Sequence, residues 1–246
     1  MYLPRLRLAL NQQIDYRLRM IDPNVAKRAT AYAAADLVQD GTTIGLGSGS
    51  TFLFVLERLA ERIRDEGLSI RGTPTSSGTA AAAKAKGIPI ISLDEVEQLD
   101  LAIDGADEID PQKHLIKGGG AAHTRERVVA ALAQELVIIV GENKMVDVLG
   151  KAFRLPIEVL PFGWKQARRR IESTGCTTEL RQQGGKPLVT DNGNWILDCD
   201  YGGITDPSSL AASLDSMIGV VDHGLFCGMT GRVVIANDLG EVRILQ

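Results

Sequence analysis

Apolar residues in the first 150 positions alternate between helical spacing and short continuous runs. Helical spacing predicts helices over residues 24–38, 52–64, an alanine-rich segment ending near 87, and 121–134. Short apolar runs predict strands at 42–46, 70–73, 88–91, 99–103 and 136–140. Because strands and helices alternate, the pattern predicts a parallel sheet with helices on both faces.

The pattern changes after Gly150. A strand at 157–160, a basic helix at 166–173, a hairpin joining 188–190 to 195–197, a helix at 207–217 and a strand pair at 233–236 and 242–245 follow. We therefore predict an α/β protein. A Rossmann-like parallel-sheet domain with helices on both faces would span 22–154 with 229–246, and a smaller α+β domain would span 155–228.

Composition and charge exclude several classes of protein. A net charge of −4 argues against a nucleic-acid-binding surface. Three cysteines without a C-x-x-C pair suggest neither a disulfide framework nor a zinc site, so a reducing cytoplasm is the expected compartment. Residues 1–19 contain only short apolar runs and therefore predict neither a secretory signal nor a membrane span. We expect residues 1–21 to be a poorly ordered extension and hypothesise that translation starts at Met20.

Polar chemistry concentrates between residues 104 and 126. Asp104 and Asp107 follow the predicted strand at 99–103, at the sheet edge where α/β proteins bind ligands. Lys117 and three glycines then lead into a helix that carries Glu126 in its early turns. Glycines permit close backbone approach and a helix N-terminus favours anions. An acid, a base and an oxyanion stabiliser are thus expected to converge here.

Simpler interpretations of this stretch remain open from the residues alone. The acidic run at 104–110 is either a solvated loop or a divalent-metal site, although its spacing fits no calcium loop. We interpret His114, His123 and His223 as ordinary loop or surface residues, because they lack ligand spacing. Glu126 alone would be only a favourable partner for the helix dipole.

An earlier glycine-rich turn, G-L-G-S-G-S-T at 45–51, suits one phosphate. It lacks the third glycine of a dinucleotide fingerprint and the lysine of a P-loop. Taken alone, the segment fits equally well a plain turn whose hydroxyls cap the following helix. Lys144 follows the predicted strand at 136–140 and lies at the same predicted edge, but by itself it reads as a surface lysine.

Four ordered motifs carry a more specific signal. They are G-L-G-S-G-S-T at 45–51, D-G-A-D-E-I-D at 104–110, K-G-G-G-A-A at 117–122 with T-R-E at 124–126, and N-K-M-V-D-V-L-G at 143–150. Together with L-P-I-E-V at 155–159, V-T-D-N-G-N at 189–194 and G-L-F at 224–226, they closely resemble ribose-5-phosphate isomerase of the A type. The resemblance covers about residue 22 to the end.

The resemblance implies reversible conversion of D-ribose 5-phosphate to D-ribulose 5-phosphate through an enediolate, without metal or organic cofactor. Glu126 would be the base, Lys117 would stabilise the oxyanion, and Asp104 and Asp107 would hold sugar hydroxyls and assist proton movement. The substrate-binding positions implied are Ser48, Gly49, Ser50, Thr51, Asp104, Gly105, Ala106, Asp107, Lys117, Gly118, Gly119, Gly120 and Lys144. His123 and residues 110–113 depart from the family pattern but spare every matched functional position. A homodimer or a dimer of dimers is also implied.

Two rival functions are weighed against this one. A sugar-phosphate sensor that regulates transcription would need a DNA-binding module, for which residues 1–21 are too short. A relative of the coenzyme A transferases would also use a glutamate at a glycine-rich turn. Exchange between an acyl-CoA and a carboxylic acid would identify it.

Overall fold

The computed structural model describes Asp22 and residues 24–246, so the expectations about the N-terminal extension and Met20 lie outside the described residues. The described helices are α1 (Val25–Ala35), α2 (Phe52–Asp65), α3 (Ser77–Ala85), α4 (His123–Leu132), α5 (Trp164–Glu172) and α6 (Pro207–Asp215). None of these helices is both long and apolar enough to cross a membrane.

The described strands form four sheets. In chain order they are β1 (Thr43–Leu46), β2 (Arg71–Pro74), β3 (Leu101–Gly105), β4 (Glu108–Ile109), β5 (Leu115–Ile116), β6 (Leu136–Gly141), β7 (Leu155–Val159), β8 (Thr177–Leu180), β9 (Gln182–Gln183), β10 (Lys186–Pro187), β11 (Trp195–Asp200), β12 (Val220–His223), β13 (Leu225–Phe226), β14 (Val233–Ala236) and β15 (Val242–Leu245).

The largest sheet has the order β15-β14-β6-β3-β1-β2. Every pairing in it is parallel except that of β15 with β14. The predicted α/β class with a parallel sheet is therefore confirmed. Parallel order brings the carboxyl ends of β1, β3 and β6 to one edge, which is where the turns that follow them meet.

Helices cover both faces of this sheet, as its side chains demonstrate. Val137 and Ile139 of β6 lie in a core cluster with buried residues of α1, α2 and α3. Leu136, Ile138 and Val140 lie in a separate cluster with buried residues of α4. Alternate residues of a strand point to opposite faces, so the continuous apolar run of β6 reflects burial on both sides.

A second, antiparallel sheet has the order β12-β7-β11-β8 and packs with α5 and α6 around its own core. This arrangement has the α+β character expected for residues 155–228. Its core also takes in Ile116 and Leu149, which precede the proposed boundary. The domain boundaries themselves stay a prediction.

Two predicted elements are wrong. Residues 188–190 form no strand, and β11 pairs instead with β7 and β8. The polar side chains of Thr190, Asn192 and Asn194 bond to Glu158, which turns this segment toward β7 rather than along β11. Residues 88–91 contribute only an isolated bridge between Ile90 and Gly72.

The interpretation of the histidines as ordinary loop or surface residues is also wrong for two of the three. His123, the first residue of α4, is 0% exposed, and His223 is 1% exposed. Neither ring nitrogen of His123 has a hydrogen-bond partner within the described residues. Burial and the nearby charge of Arg127 lower the pKa of His123 to about 3, so its imidazole is neutral.

We predict that His123→Leu makes the fold less sensitive to acid. The imidazole titrates near 6.5 when free and near 3 when folded, so between these values the unfolded chain binds the extra proton. Stability is therefore lost as the pH falls below 6.5. From pH 7 to pH 5 this linkage costs the wild type roughly 2 kcal/mol of unfolding free energy, a loss that the variant lacks. Urea unfolding at both pH values measures the difference, and equal losses would contradict it.

Candidate active site

A cavity of about 220 Å³ lies at the edge of the large sheet where β1 and β3 end. All of the site residues predicted from the sequence line it, and the structure thus brings four separate turns together. Lys27 of α1 lines it as well and was missed. No sequence signal separates Lys27 from the neighbouring Arg28, because the contact depends on how α1 packs.

Asp104 occupies the penultimate position of β3, where the strand delivers it into the cavity. Its Oδ1 accepts hydrogen bonds from the backbone N–H groups of Ser48, at 3.0 Å, and Gly105, at 2.8 Å. A Cβ at position 47 would lie only 2.3 Å from this oxygen, so the close approach of the turn after β1 requires Gly47. The buried carboxylate is thereby fixed in orientation.

Lys117 lies directly after β5 and is 2% exposed. Its Nζ is 3.0 Å from Asp104 Oδ2 and 3.3 Å from Glu126 Oε2, and it donates a hydrogen bond to the Gly105 carbonyl. Burial alone would lower the Lys117 pKa, but the charges of Asp104 and Glu126 outweigh it and the pKa is raised. Lys117 is therefore a buried ammonium held between two carboxylates.

Glu126 lies in the first turn of α4 and is buried. Burial and the charge of Asp104 raise its pKa to about 8, against the opposing effect of Lys117. Within the part of the chain that the structure describes, Oε2 accepts no hydrogen bond. A carboxyl group with proton affinity near neutral pH, whose Oε2 lies 3.3 Å from the Lys117 ammonium, is suited to take up and return a proton. The simple helix-dipole interpretation of Glu126 does not account for its burial.

The glycine turn after Lys117 is hydrogen-bonded to Asp107. Asp107 Oδ2 accepts a hydrogen bond of 2.8 Å from the Gly119 backbone N–H. Gly118 has a φ of +102°, a conformation that side-chain-bearing residues rarely adopt. Arg181, held by an ion pair with Asp198, donates to the carbonyls of Gly118 and Gly119 from behind. The turn is thus anchored on both sides.

The turn at 48–51 presents hydroxyls and backbone groups beside the N-terminus of α2. Ser48 Oγ lies within hydrogen-bonding distance of three further hydroxyls, those of Thr75, Ser76 and Thr79. Thr51 is the N-cap residue of α2, but its side chain makes no capping bond. The alternative that the hydroxyls of this turn cap the helix is therefore wrong for Thr51.

Two lysines line the same cavity as this turn. Lys27 Nζ donates a hydrogen bond of 3.0 Å to Ser50 Oγ. Lys144, in a single turn of 3₁₀-helix at Glu142–Lys144 after β6, lines the same cavity. A helix N-terminus with flanking cations favours a doubly charged anion.

The acidic run at 104–110 contains two kinds of residue. Asp104 and Asp107 line the cavity, whereas Glu108 and Asp110 bind backbone N–H groups. Glu108 is buried and accepts hydrogen bonds from the backbone N–H groups of Gly150, Ala152 and Phe153. Asp110 is buried and accepts from those of Gln112 and His114. The solvated-loop alternative is wrong for these two residues. The described residues contain no group of three or more His, Cys, Asp or Glu side chains placed to hold a metal ion.

Comparison with known proteins adds independent information. The family model for ribose 5-phosphate isomerase A (phosphoriboisomerase A) matches residues 71–240. Ribose-5-phosphate isomerase A 1 of Oceanobacillus iheyensis is 46% identical over 218 residues, which cover 89% of this chain and 97% of the relative.

Solved structures match over the same share of the chain. Ribose 5-phosphate isomerase A of Methanocaldococcus jannaschii superposes with a TM-score of 0.84 at 38% identity, covering 89% of this chain and 97% of that one. A D-ribose-5-phosphate isomerase in complex with phospho-erythronic acid superposes with a TM-score of 0.86 at 36% identity and with the same coverage. The protein therefore belongs to the ribose-5-phosphate isomerase A family.

Proposed function

We propose that this protein interconverts D-ribose 5-phosphate and D-ribulose 5-phosphate through an enediolate, with Glu126 as the base. The observation that carries the proposal is the buried carboxyl of Glu126, whose Oε2 lies 3.3 Å from the Lys117 ammonium inside the cavity. Family membership supports the substrate. The related isomerase structure that holds phospho-erythronic acid supports a phosphorylated sugar acid as a good fit for such a site.

The reaction moves one proton between two carbons. Ionised Glu126 removes the proton from C2 of the aldose, and the electron pair shifts to form the enediolate. Glu126 then returns the proton to C1, while the proton on O2 is lost and O1 gains one. Asp104 and Asp107 flank the position of these oxygens and assist that second transfer. Proton uptake of this kind is typically worth about 10²–10⁴ in rate.

Negative charge on the substrate oxygens is stabilised by Lys117. The ammonium is already held by Asp104 and the Gly105 carbonyl, so little reorganisation is needed when the charge develops. In a buried site such a preorganised donor is typically worth about 10²–10³ in rate. The same ammonium moderates the pKa of Glu126, which keeps the base usable near neutral pH.

The phosphate is assigned to the other end of the cavity. The turn at 48–51 precedes α2, so its backbone N–H groups and the helix N-terminus attract an anion. Lys27 supplies positive charge beside this turn and Lys144 adds a second positive charge to the cavity, whereas the carboxylates of Asp107 and Glu126 make their part of the cavity unsuitable for a phosphate. The C1–C2 end of the sugar is thereby directed toward Glu126.

Metal independence, cell compartment, pathway and oligomeric state stay predictions. We propose that the reaction needs no metal, that the enzyme is cytoplasmic and acts in the pentose phosphate interconversions, and that it is a homodimer or a dimer of dimers. Light scattering that gave only the mass of a monomer would contradict the last of these. Membership of an isomerase family favours isomerisation over the sensor and the coenzyme A transferase alternatives.

We expect the wild type to form ketose from D-ribose 5-phosphate in the presence of a chelator, and Glu126→Gln to abolish turnover while still binding the sugar phosphate. The amide keeps the shape of the carboxylate but cannot take up a proton. The assay combines ketose detection with calorimetric binding, and Glu95→Gln, at an exposed position, is the matched control. No ketose from the wild type would refute the function. Chelator-sensitive turnover would refute the metal-free step, and near-normal turnover of Glu126→Gln would identify a different base.

The pH dependence of kcat/KM reports on the free enzyme. Because the base acts when ionised and its pKa is raised to about 8, we predict that kcat/KM rises with pH and levels off above that value. The rise should approach about tenfold per pH unit below the pKa. Rates are measured from pH 6.5 upward, where the substrate phosphate, with a pKa of about 6, is mostly in one state. A flat profile would show that Glu126 is already ionised.

Lys27→Gln should raise KM by roughly tenfold or more and leave kcat nearly unchanged, because a charge-assisted bond to phosphate is equally strong in the ground and transition states. Lys144→Gln should behave in the same way. Lys86→Gln, at an exposed position away from the cavity, is the control. A fall in kcat at constant KM would place the lysine at the reacting carbons instead.

A further inference from the structure

The region 155–228 provides no lining residue to the cavity within the described chain, yet it contacts the segment that carries Lys117 and Glu126. One contact near the base is made by Glu158 of β7, through Thr124. This side chain has no part in the reaction proposed above. Its environment nevertheless points to a function.

Glu158 is a fully buried carboxylate at the centre of the antiparallel sheet, since β7 lies between β12 and β11. Its Oε1 accepts hydrogen bonds from Thr190 Oγ1 at 2.9 Å, Asn194 Nδ2 at 2.8 Å and Asn192 Nδ2 at 3.2 Å. Its Oε2 accepts a short hydrogen bond of 2.5 Å from Thr124 Oγ1. Among the described residues no lysine or arginine forms an ion pair with Glu158. The carboxylate is therefore held entirely by neutral donors.

Thr124 is the donor that belongs to the catalytic helix. It lies in the first turn of α4, two residues before Glu126. Residues two apart on a helix point in widely different directions, so Thr124 reaches the antiparallel sheet while Glu126 reaches the cavity. Thr124 does not line the cavity. The hydrogen bond to Glu158 thus restrains the rotation of the turn that presents Glu126.

Arg125, directly before the base, is held by the same turn that surrounds Glu158. Its Nε donates to Asn192 Oδ1 at 2.8 Å, and its Nη2 donates to the Asp191 carbonyl at 2.7 Å. Asn192 therefore bonds to Glu158 through its amide and to Arg125 through its oxygen. Thr124 and Arg125, the two residues before Glu126, are therefore both hydrogen-bonded to the network around Glu158.

The stability of the fold does not by itself explain why a carboxylate is buried at position 158. A buried carboxylate without a cation is costly to desolvate, and apolar replacements of buried ionic groups are often neutral or stabilising. An ionised acceptor does offer short, directional bonds to several donors at once. Directionality matters here because misplacing a catalytic group by about 1 Å can cost on the order of 10²-fold in rate.

We propose that Glu158 is a positioning residue for the proton transfer, acting through the Thr124 hydroxyl on the orientation of Glu126. The proposal rests on the proposed isomerase function. Glu158 does not touch the substrate; it determines where the first turn of α4 directs its carboxylate.

Thr124→Val tests the contact with little change of shape, since it replaces the hydroxyl by a methyl group. We expect kcat to fall roughly 10- to 100-fold with KM within about threefold of wild type, because only the base is displaced. The isotope effect with substrate deuterated at C2 should increase, as proton abstraction becomes slower. Thr124→Ser, which keeps the hydroxyl, should return kcat to within about threefold.

Thr178→Val is the matched control. Thr178 Oγ1 also donates to a glutamate, Glu172 Oε1, at 2.8 Å within the same antiparallel sheet region, but within the described residues no hydrogen bond or ion pair joins Glu172 or Thr178 to α4. Its kcat should equal that of the wild type. A loss of rate as large as that of Thr124→Val would mean that damage to this region is sufficient, and would overturn the proposal.

Glu158→Gln supplies a second route to the same question. Its kcat should fall in the same direction, and the double variant with Thr124→Val should be no slower than the slower single variant, because both changes act on the base through the Thr124–Glu158 contact. Additive losses, or an unchanged kcat in folded Thr124→Val, would overturn the proposal. These outcomes require an active wild type, so they are distinct from failure of the isomerase function itself.

Discussion

The ion triad of Asp104, Lys117 and Glu126 is the interaction on which the rest of the structure depends. An ammonium with 2% exposure is tolerated only because carboxylate oxygens lie 3.0 and 3.3 Å away. Asp104 satisfies the charge of Lys117, and the surplus negative charge, together with burial, raises the pKa of Glu126. One arrangement therefore compensates the charge of a buried cation and leaves a carboxyl group with proton affinity near neutral pH.

Building this triad places demands on distant parts of the chain. β3 must carry Asp104, the turn after β1 must pass within contact of it, and the glycine turn must lead Lys117 into α4. The antiparallel sheet secures the last of these, through Arg181 behind the glycine carbonyls and Glu158 behind Thr124. The large sheet places Asp104 at the cavity, and the antiparallel-sheet region contacts the segments that carry Lys117 and Glu126.

The strands of the parallel sheet and most residues of the cavity could be predicted from the sequence. Periodicity identified the strands of the parallel sheet, because β6 and its neighbours are buried on both faces and their apolar runs are unbroken. The motifs at 45–51, 104–110, 117–126 and 143–150 identified the residues that line the cavity. Element boundaries shifted by up to three residues, and the partner of β11 was wrong because side-chain bonds to Glu158 override the local turn signal.

What the sequence by itself determined is the fold class, the family and most of the residues that line the cavity, since these depend on local periodicity and on motifs with fixed spacing. Tertiary structure alone decided the rest. It showed that Lys27 joins the cavity, that Glu108 and Asp110 serve the backbone, that His123 is buried, and that Glu158 meets Thr124. Each of these depends on contacts between residues far apart in the chain, and on burial, which no single segment encodes.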